Sequence, residues 1–533
     1  MIPSAVPIFE LFLLAGKLPD RMPILNWLTR EQDISAAKRV PYRLLEETVE
    51  LSAGDPNTGN MLIQGDNLEA LKALLPFYAG RVKCIYIDPP YNTGAAFEHY
   101  DDNLENSIWL GTIWPRLELL RDLLAEDGSL WVNIDDRQGH YLKVILDEVF
   151  GRTRFVANVV WQKRTSRENR KAIGSAHDPV LVYAPAGAQA WKKHRNLLPD
   201  TEKGYANPDG DLKGPWRSVP FSAQGYRKNQ MYKITTPTGD VLDPPKGRCW
   251  GATEPEYFRL RDGEKRVYFP KKGRGRPRIK KYQFEESGLA PMTWWTAASF
   301  GDNQQAKKEI LELFNDEDAF DTPKPEKLIE RILHIATNPG DLVLDCFLGS
   351  GTTMAVAIKT GRRSIGIEMG EHASTYCVPR LQKVIEGEQG GISKSIGWQG
   401  GGGFRFYVLG PPVFDEEGHI RSDIRFPVLA AHIWFSETNS PWTVKRGTPL
   451  LGFHDGRAFA LLYNGILGDK RVDGGNVLTR ATLALIREKI AKKDPAFAGS
   501  LTVYGEQSRI TAPTLDWEGV TFKQTPYDVK VRR

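Results

Sequence analysis

The sequence predicts an α/β fold in which helices cover both faces of a parallel, doubly wound sheet. Apolar runs of strand length alternate with amphipathic runs of helical period over residues 61–184, and the same alternation returns over residues 306–368. Such alternation is typical of strand–helix–strand units with a parallel sheet. Two of the apolar runs end in unusual turns, one Asp-Pro-Pro and one rich in glycine. Ligands of these sheets bind where the strands end, so both turns are candidates for a functional site.

The hydrophobic pattern gives each element in order. MLIQ is a predicted strand that ends at Gly65–Asp66, before an amphipathic helix. The next predicted elements are the strand VKCIYI, the helix WPRLELLRDLLAEDG stopped at Gly128, and the strands GSLWVNIDD and HDPVLVYA. Beyond residue 290 the pattern predicts helices over 306–314 and 326–337, strands at DLVLDCF and RSIGIE, then strands AFALLYNGIL, SLTVYG and GVTFKQ with a helix near 479–491.

The composition is that of a globular protein with several domains. Hydrophobic residues make up 41% of the 533 residues and charged residues 26%. At roughly 150 residues per domain, this length predicts two to four domains. The four cysteines lie far apart with no CxxC pair, which excludes a disulfide scaffold and a zinc finger and favours a reducing, cytoplasmic location.

One apolar stretch near the start, Ala5–Gly16, is a candidate for a targeting or membrane segment. It contains Pro7 and Glu10, lacks a preceding basic region, and is shorter than the ~20 residues that a span requires. We expect a packed N-terminal helix or a peripheral extension there.

Positive charge is concentrated in one internal segment. The chain has a net charge of +5, but residues 191–290 contain 22 Lys and Arg against 12 Asp and Glu, a net charge of +10. A basic segment in a nearly neutral chain is typical of a protein that contacts a polyanion, because neutralising phosphates supplies affinity that does not depend on sequence. The alternative is a solvated loop with surplus lysines.

The glycine-rich turn predicts a site for an adenosine-containing cofactor. Its sequence, DCFLGSGTT at Asp345–Thr353, directly follows an apolar strand. Glycines at a strand-to-helix turn let the backbone approach a ligand closely, and the helix N-terminus offers free N–H groups. Glu368 ends the next predicted strand, 19 residues after Gly349, where a carboxylate can bind ribose hydroxyls. Glycines that only let the helix pack on the strand are the alternative.

The Asp-Pro-Pro turn predicts a site for an amino group on a flat ring. Asp88, Pro89, Pro90 and Tyr91 follow the apolar run Val82–Ile87. Pro89 favours an extended Asp88, and neither proline has an N–H, so the turn presents carbonyl oxygens and one carboxylate. These acceptors suit an exocyclic amine, while Tyr91 offers a face on which a base can stack. A tight turn without a ligand is the alternative.

Together these motifs resemble the S-adenosylmethionine-dependent amino-methyltransferases of DNA. DPPY precedes the FxGxG loop with the basic segment between them, which is the order of the β class. IDPPYNTG, GDNLEAL, KPEKLIERIL and LDCFLGSGTT are similar to the Mod (modification) subunits of type III restriction-modification systems. The resemblance covers residues 61–386. It implies a Rossmann-like methyltransferase sheet, S-adenosylmethionine as cofactor and double-stranded DNA as substrate.

The resemblance also implies roles for single residues. Asp88 and the Pro90 carbonyl oxygen would hold the target amine, with Pro89 fixing the turn, and Tyr91 would stack on an extruded base. Asp66 would contact the adenine end of the cofactor, Glu368 its ribose and Lys327 its methionine carboxylate. The other residues implied at the cofactor are Asp345, Phe347, Gly349, Gly351 and Thr352.

The implied function is site-specific methylation of adenine N6 in double-stranded DNA by the modification subunit of a type III-like system. The family associates Asp in the DPPY position mainly with adenine N6 and Ser mainly with cytosine N4, although either amine could satisfy the same acceptors. The sequence contains no GxxxxGK[ST] loop for ATP, so a separate helicase–nuclease restriction subunit is an expected partner, and the family implies a homodimer. A stand-alone methyltransferase is one alternative. A DNA-recognition subunit of a restriction complex is another.

Within the basic segment, Lys271–Lys281 reads KKGRGRPRIKK. Its RGRP core is similar to an AT-hook, which binds the minor groove. We favour a basic hairpin that contacts phosphates, because a Mod-like target-recognition domain would already occupy this interval. The candidate DNA contacts are Lys271, Lys272, Arg274, Arg276, Arg278, Lys280 and Lys281.

The predicted organisation has six segments. They are an N-terminal extension (1–60), the catalytic half of the methyltransferase domain (61–187), an inserted basic target-recognition domain (188–290), the cofactor half (291–389), a Gly-rich linker (390–403) and a small C-terminal α/β or α+β domain (404–533).

Overall fold

In a computed structural model, the described residues are 23–92, 105–168, 172–199, 204–285, 288–314, 322–413, 421, 424–438, 440–442, 448–463 and 475–525. The chain divides into two compact units, unit 1 (Met1–Asn196 with Met292–Arg533) and unit 2 (Leu197–Pro291). The apolar stretch Ala5–Gly16 lies outside the described residues. Within the ranges given above, no helix has both the length and the apolar character that crossing a membrane requires.

The elements have the following bounds. The strands are β1 Arg43–Glu47, β2 Ala53–Gly54, β3 Met61–Gln64, β4 Val82–Ile87, β5 Leu124–Asn133, β6 Phe155–Gln162, β7 His177–Tyr183, β8 Trp216–Pro220, β9 Ser222–Gln224, β10 Ile234–Thr235, β11 Val241–Leu242, β12 Arg248–Trp250, β13 Val267–Tyr268, β14 Arg278–Tyr282, β15 Trp294–Trp295, β16 Leu342–Asp345, β17 Arg363–Glu368, β18 Gly403–Pro412, β19 Leu450–His454, β20 Arg457–Leu461, β21 Val477–Leu478, β22 Ser500–Gly505, β23 Gln507–Ser508 and β24 Val520–Gln524. The helices are α1 Arg30–Arg39, α2 Asn67–Tyr78, α3 Asn106–Leu123, α4 Asp136–Leu146, α5 Ala188–Trp191, α6 Glu254–Phe258, α7 Ala297–Phe300, α8 Asn303–Phe314, α9 Glu326–Ala336, α10 Thr352–Lys359, α11 Val378–Ile385, α12 Ser393–Ile396, α13 Phe426–Thr438, α14 Arg480–Lys493 and α15 Ala512–Trp517.

Unit 1 is built on a large mixed sheet, which has eleven strands among the described residues. Its order is β1-β18-β3-β17-β16-β4-β5-β7-β6-β15, with β2 paired to β18. The centre, from β18 to β5, is parallel. Leu62 and Ile63 are neighbours in β3 yet belong to two different hydrophobic clusters, because successive strand residues point to opposite faces. Both faces are therefore covered, and the predicted α/β doubly wound class is confirmed.

The sheet differs from the wholly parallel one that the sequence predicts. β7 runs antiparallel to both β5 and β6, so its first residues lie at the edge where the parallel strands end. The preceding helix also ends earlier than predicted: α3 stops at Leu123 rather than at Gly128. Leu124 already pairs with Val82 of β4, and this long-range pairing draws the residues before Gly128 into β5.

The C-terminal region also departs from the predicted boundaries. The segment predicted as a linker contains α12, and β18 joins the large sheet beside β3, where Arg405 faces Met61. The strands predicted at SLTVYG and GVTFKQ and the helix near residue 480 are confirmed as β22, β24 and α14. Leu429 and Phe459 of this region pack in the same hydrophobic cluster as Leu71. Part of the C-terminal region thus packs on the core of the large sheet, while Leu483, Ile486 and Val503 belong to a second hydrophobic cluster within that region.

Unit 2 has small antiparallel sheets and a core of its own. β13, β14 and β8 form one sheet, β9 pairs with β12, and β10 pairs with β11. Phe221, Ile234, Trp250 and Tyr257 are its buried core. The unit begins at Leu197, nine residues after the predicted start, because α5 belongs to unit 1, where Trp191 packs 6.1 Å from Trp131 between ring centroids.

Candidate active site

Five neighbouring strands bring candidate residues to one edge of the large sheet. β3, β17, β16, β4 and β5 are adjacent and parallel. At their carboxyl ends lie, in that order, Asp66, Glu368, Phe347, Asp88 and Asn133. The two turns singled out in the sequence therefore follow neighbouring strands and lie side by side, at the edge where open α/β sheets bind ligands.

Asp88 is the centre of a hydrogen-bonded cluster at the end of β4. Its Oδ2 forms an ion pair with the Lys324 ammonium group. Its Oδ1 accepts a hydrogen bond from the Tyr91 hydroxyl at 2.8 Å. The Asn133 Nδ2–H group donates to the Tyr91 oxygen and lies 3.4 Å from Asp88 Oδ1. Both carboxylate oxygens thus already have partners within the chain.

The Pro90 carbonyl oxygen is held in place by a tryptophan. It accepts a hydrogen bond from Trp109 Nε1–H at 2.8 Å, and Trp109 is buried in α3. Pro89 is buried as well. A carbonyl oxygen has two lone pairs, so Pro90 can accept a second hydrogen bond from a ligand.

The Tyr91 hydroxyl lies between two carboxylates that each pair with a lysine. Its oxygen is 2.8 Å from Asp88 and 3.4 Å from Asp178 Oδ2, while Lys163 Nζ lies 2.6 Å from Asp178 Oδ1. Burial raises the pKa of Tyr91 well above its ordinary value, and the carboxylates of Asp178 and Asp88 add to the rise. Burial also raises the pKa of Asp178, against the opposing effect of Lys163 and Lys324. The tyrosine hydroxyl is therefore protonated and can donate a hydrogen bond.

The glycine loop adopts a backbone that favours glycine. Gly349 and Gly351 have φ of 55° and 79°, in the left-handed region that costs other residues energy. Gly351 directly precedes α10, so the helix N-terminus lies at the site. The Gly349 N–H donates to Glu368 Oε2 at 2.6 Å, which joins the ends of β16 and β17. Phe347 is half-buried against the core.

Asp345 stabilises the glycine loop through hydrogen bonds. It is buried, and its carboxylate accepts hydrogen bonds from the Phe347 N–H at 3.0 Å and the Thr353 hydroxyl at 2.6 Å. Burial raises the pKa of Asp345 to about 7, and the carboxylates of Asp88 and Glu368 add to the rise. Their electrostatic effect reflects how close the two turns lie.

A buried ionic network connects the glycine loop to the start of α9. Arg380 Nη1 donates to the Ser350 carbonyl oxygen at 2.9 Å and to Thr352 Oγ1 at 2.8 Å, and its Nη2 lies 3.1 Å from Glu326. Lys359 Nζ lies 2.7 Å from the same carboxylate. These charged side chains are at most 2% exposed. Because unpaired buried charges are costly, the network fixes the loop relative to the segment that carries Lys324.

Asp66 and Lys327 have partners within the chain. Asp66 caps α2 by accepting the Leu68 N–H at 2.8 Å and pairs with Arg116 at 3.0 Å. Lys327 Nζ donates to the Ala298 carbonyl oxygen at 2.8 Å. Both Lys324 and Lys327 belong to the KPEKLIERIL motif, and the lysine that reaches Asp88 is Lys324.

Sequence reasoning missed Lys324, Asn133 and Asp178. Asn133 is a polar residue that closes an apolar strand, the signal that singled out Asp88. Lys324 stands between Pro323 and Pro325, where the backbone is kept extended. Asp178 had no usable signal, because it becomes part of the edge only through the antiparallel direction of β7.

The basic cluster of unit 2 forms a hairpin turn. Lys271, Lys272, Arg274 and Arg276 are exposed between the antiparallel strands β13 and β14. Two residues of β14 have partners within the unit: Arg278 Nε donates to Ser218 Oγ at 2.9 Å, and Lys280 is buried between Asp209 and Asp211 at 2.5 and 2.7 Å. Lys281 is half-buried in β14.

This geometry requires one correction among the candidate DNA contacts. The charge of Lys280 makes it a candidate in the sequence, but its ammonium group forms ion pairs with two carboxylates inside the unit. We therefore remove Lys280 from the candidate contacts.

Comparison with known proteins points to DNA methylases. The family model described as DNA methylase (N6_N4_Mtase) matches residues 82–378. The chain is 35% identical over 337 residues to the type III restriction-modification enzyme StyLTI Mod subunit of Salmonella typhimurium, which covers 56% of this chain and 50% of that protein. It is 31% identical over 415 residues to the probable type III restriction-modification enzyme HindVI Mod subunit of Haemophilus influenzae, covering 66% and 54%. It is 24% identical over 352 residues to the DNA adenine methyltransferase YhdJ of Escherichia coli, covering 63% and 92%.

The matches to the two Mod subunits span about half of their length. The family model covers more than half of this chain and includes the DPPY turn, unit 2 and the glycine loop. The chain therefore belongs to the N6_N4_Mtase family of DNA methylases.

Proposed function

We propose that this chain transfers a methyl group from S-adenosylmethionine to the N6 amine of adenine in double-stranded DNA. One observation carries the proposal: the DPPY turn and the glycine loop follow the adjacent parallel strands β4 and β16. A group held at one turn is thus next to a group held at the other.

The residues around the glycine loop fit S-adenosylmethionine. Two carboxylates, Asp66 and Glu368, follow the adjacent strands β3 and β17, and carboxylates suit ribose hydroxyls and adenine amino groups. Phe347 adds a half-buried aromatic ring, and Gly349 and Gly351 bring the backbone within reach. The candidate set also includes Asp345 and Thr352, which hold the loop, and Lys327 for the methionine carboxylate. When bound, the cofactor supplies a methyl group that its sulfonium already activates.

The DPPY turn would activate the target amine as a nucleophile. An adenine N6 is a poor nucleophile, because its lone pair is delocalised into the ring. Asp88 and the Pro90 carbonyl oxygen would accept its two N–H groups, favour a pyramidal nitrogen and stabilise the charge that it gains. Stacking on Tyr91 contributes roughly 1–3 kcal/mol per base. Extruding the base costs a few kcal/mol, and positioning the reactants can lower the barrier by roughly 7–11 kcal/mol.

Modified-base sequencing tests this function directly. The wild-type chain and an Asp88→Ala variant are expressed separately in a bacterial host without other DNA methyltransferases. We expect N6-methyladenine at one defined sequence in the wild-type host only. N4-methylcytosine at a defined sequence would show that the target is cytosine N4 rather than adenine N6. DNA without modified bases would contradict the proposed methyltransferase function.

We further propose that the chain is the modification subunit of a type III-like system, with a helicase–nuclease restriction subunit as partner and a homodimer as its own assembly. The names of the StyLTI and HindVI relatives support this role. The match to YhdJ, which covers 92% of a protein named as an adenine methyltransferase, favours a stand-alone enzyme as the second candidate. Co-purification with a co-expressed restriction subunit separates the two.

The exposed basic hairpin of unit 2 contacts DNA phosphates in this proposal. Changing Lys271, Lys272, Arg274 and Arg276 to Glu should weaken DNA binding. The slope of log K against log salt is negative, and each lost phosphate contact should make it less steep by about 0.9. Binding is measured by fluorescence anisotropy at several salt concentrations.

The control changes three exposed lysines of α14 to Glu: Lys489, Lys492 and Lys493. These residues lie in unit 1, far from the basic hairpin in sequence. An equal loss of affinity in the control, or an unchanged slope in the hairpin variant, would contradict the role of the hairpin.

A further inference from the structure

We infer that Asp178 is a second acceptor for the Tyr91 hydroxyl, and that it takes this hydroxyl from Asp88 when a target base enters. The inference rests on the proposed function, because it concerns the amine that Asp88 would hold. Asp178 acts through Tyr91 and is therefore a positioning residue.

The hydroxyl has one proton and two carboxylates within reach. Tyr91 donates to Asp88 Oδ1 at 2.8 Å, and Asp178 Oδ2 lies 3.4 Å from the same oxygen. The other oxygen of each carboxylate pairs with a lysine, Lys324 at Asp88 and Lys163 at Asp178. The two carboxylates thus have the same kinds of partner, and a small rotation of the hydroxyl moves its hydrogen bond from the nearer Asp88 to Asp178.

In the observed arrangement Tyr91 competes with the substrate. Asp88 Oδ1 accepts the hydroxyl, while the Lys324 ammonium occupies Oδ2. A target amine needs one of these oxygens as an acceptor. The hydroxyl must then donate elsewhere, because a buried polar hydrogen without an acceptor costs free energy.

Asp178 is placed to receive that hydrogen bond. Asn133 Nδ2–H already donates to the Tyr91 oxygen, so the hydroxyl hydrogen is left for a carboxylate. Asp178 is 1% exposed, and its Oδ2 faces Tyr91 because Lys163 binds Oδ1. The antiparallel direction of β7 brings this second residue of the strand beside the end of β5, where Asn133 faces Val180.

A double-mutant comparison tests the inference. Asp178→Ala is made in the wild-type chain and in a Tyr91→Phe chain, which keeps the ring and loses the hydroxyl. Tritium transfer from labelled S-adenosylmethionine to DNA amplified in vitro gives kcat/KM for DNA. We expect Asp178→Ala to lower kcat/KM about tenfold in the wild-type chain. In the Tyr91→Phe chain the same change should alter it by less than about twofold, since the competing hydroxyl is absent.

Two further variants separate positioning from stability. Asp178→Asn keeps an amide oxygen that can accept the hydroxyl and should recover part of the lost rate. Asp147→Ala is the matched control, because Asp147 lies 2.7 Å from both Lys143 and the Tyr183 hydroxyl in a similar trio away from the DPPY turn. We expect it to change kcat/KM by less than about twofold in either chain.

The possible outcomes are distinct. Three results would overturn the inference while wild-type methylation stands. They are an equal loss of kcat/KM from Asp178→Ala in both chains, no loss of kcat/KM from Asp178→Ala in the wild-type chain, and a loss of the same size from Asp147→Ala. A wild-type chain that binds S-adenosylmethionine in a calorimetric titration but methylates no DNA would instead overturn the proposed function.

Discussion

Asp88→Ala should abolish methyl transfer to DNA while S-adenosylmethionine binding survives. The substitution removes the carboxylate that would hold the target amine, and it leaves the glycine loop and its Glu368 partner unchanged. Loss of one preorganised group that stabilises developing charge typically lowers rates about 10²–10³-fold. We expect a loss of at least this size in tritium transfer, together with a calorimetric cofactor affinity close to that of the wild-type chain.

Asp127→Ala is the matched control for this prediction. Asp127 also pairs with a lysine, Lys83, but this pair lies at the start of β4 rather than at its end. Removing it should leave transfer within about twofold of the wild-type rate. Undiminished tritium transfer in the Asp88 variant would show that the catalytic assignment is wrong.

Gly351→Asp should remove cofactor binding. Gly351 has φ 79° and ψ 10°, so any side chain there is strained. A Cβ there would lie 3.7 Å from the buried side chains of Arg380 and Cys377, so the new carboxylate would compete with Glu326 for Arg380 and disturb the network that holds the loop. We expect calorimetric titration to show an affinity for S-adenosylmethionine at least about 100-fold lower than wild type, with methyl transfer lost as a consequence.

The opposite end of α10 provides the control. Gly361 also has a positive φ, 70°, and the nearest neighbour of a Cβ there is Pro339, at 3.8 Å, whereas a Cβ at Gly351 would lie beside the buried Arg380. Gly361→Asp therefore introduces the same strain and the same charge away from the glycine loop. A similar affinity for both variants would contradict the placement of the cofactor at Gly351, and thermal unfolding of both checks that the fold is intact.

The position of both turns could be predicted from local sequence. Asp88 and Phe347 each follow a short apolar strand, and the rule that open α/β sheets bind ligands at the carboxyl edge predicts where both residues lie. The structure makes β4 and β16 direct neighbours. The roles of these residues at substrate and cofactor remain predictions that the variants above test.

Other features depend on contacts between residues far apart in the chain. Lys324 reaches Asp88 from 236 residues away, and no local pattern reveals such a pair. Lys280 belongs to a strongly basic run and suggested a DNA contact, yet two aspartates from another loop bury its charge. Burial and pairing decide the role of a charged residue, and both are set by the tertiary structure.

The sequence by itself determined the family, the α/β class and the two turns, because each depends on residue types at short spacing. Only the tertiary structure decided the direction of β7, which sets the position of Asp178. It also decided the entry of β18 into the large sheet. The physical reason is that strand propensity is local, whereas the direction and partner of a strand are fixed by hydrogen bonds to distant segments.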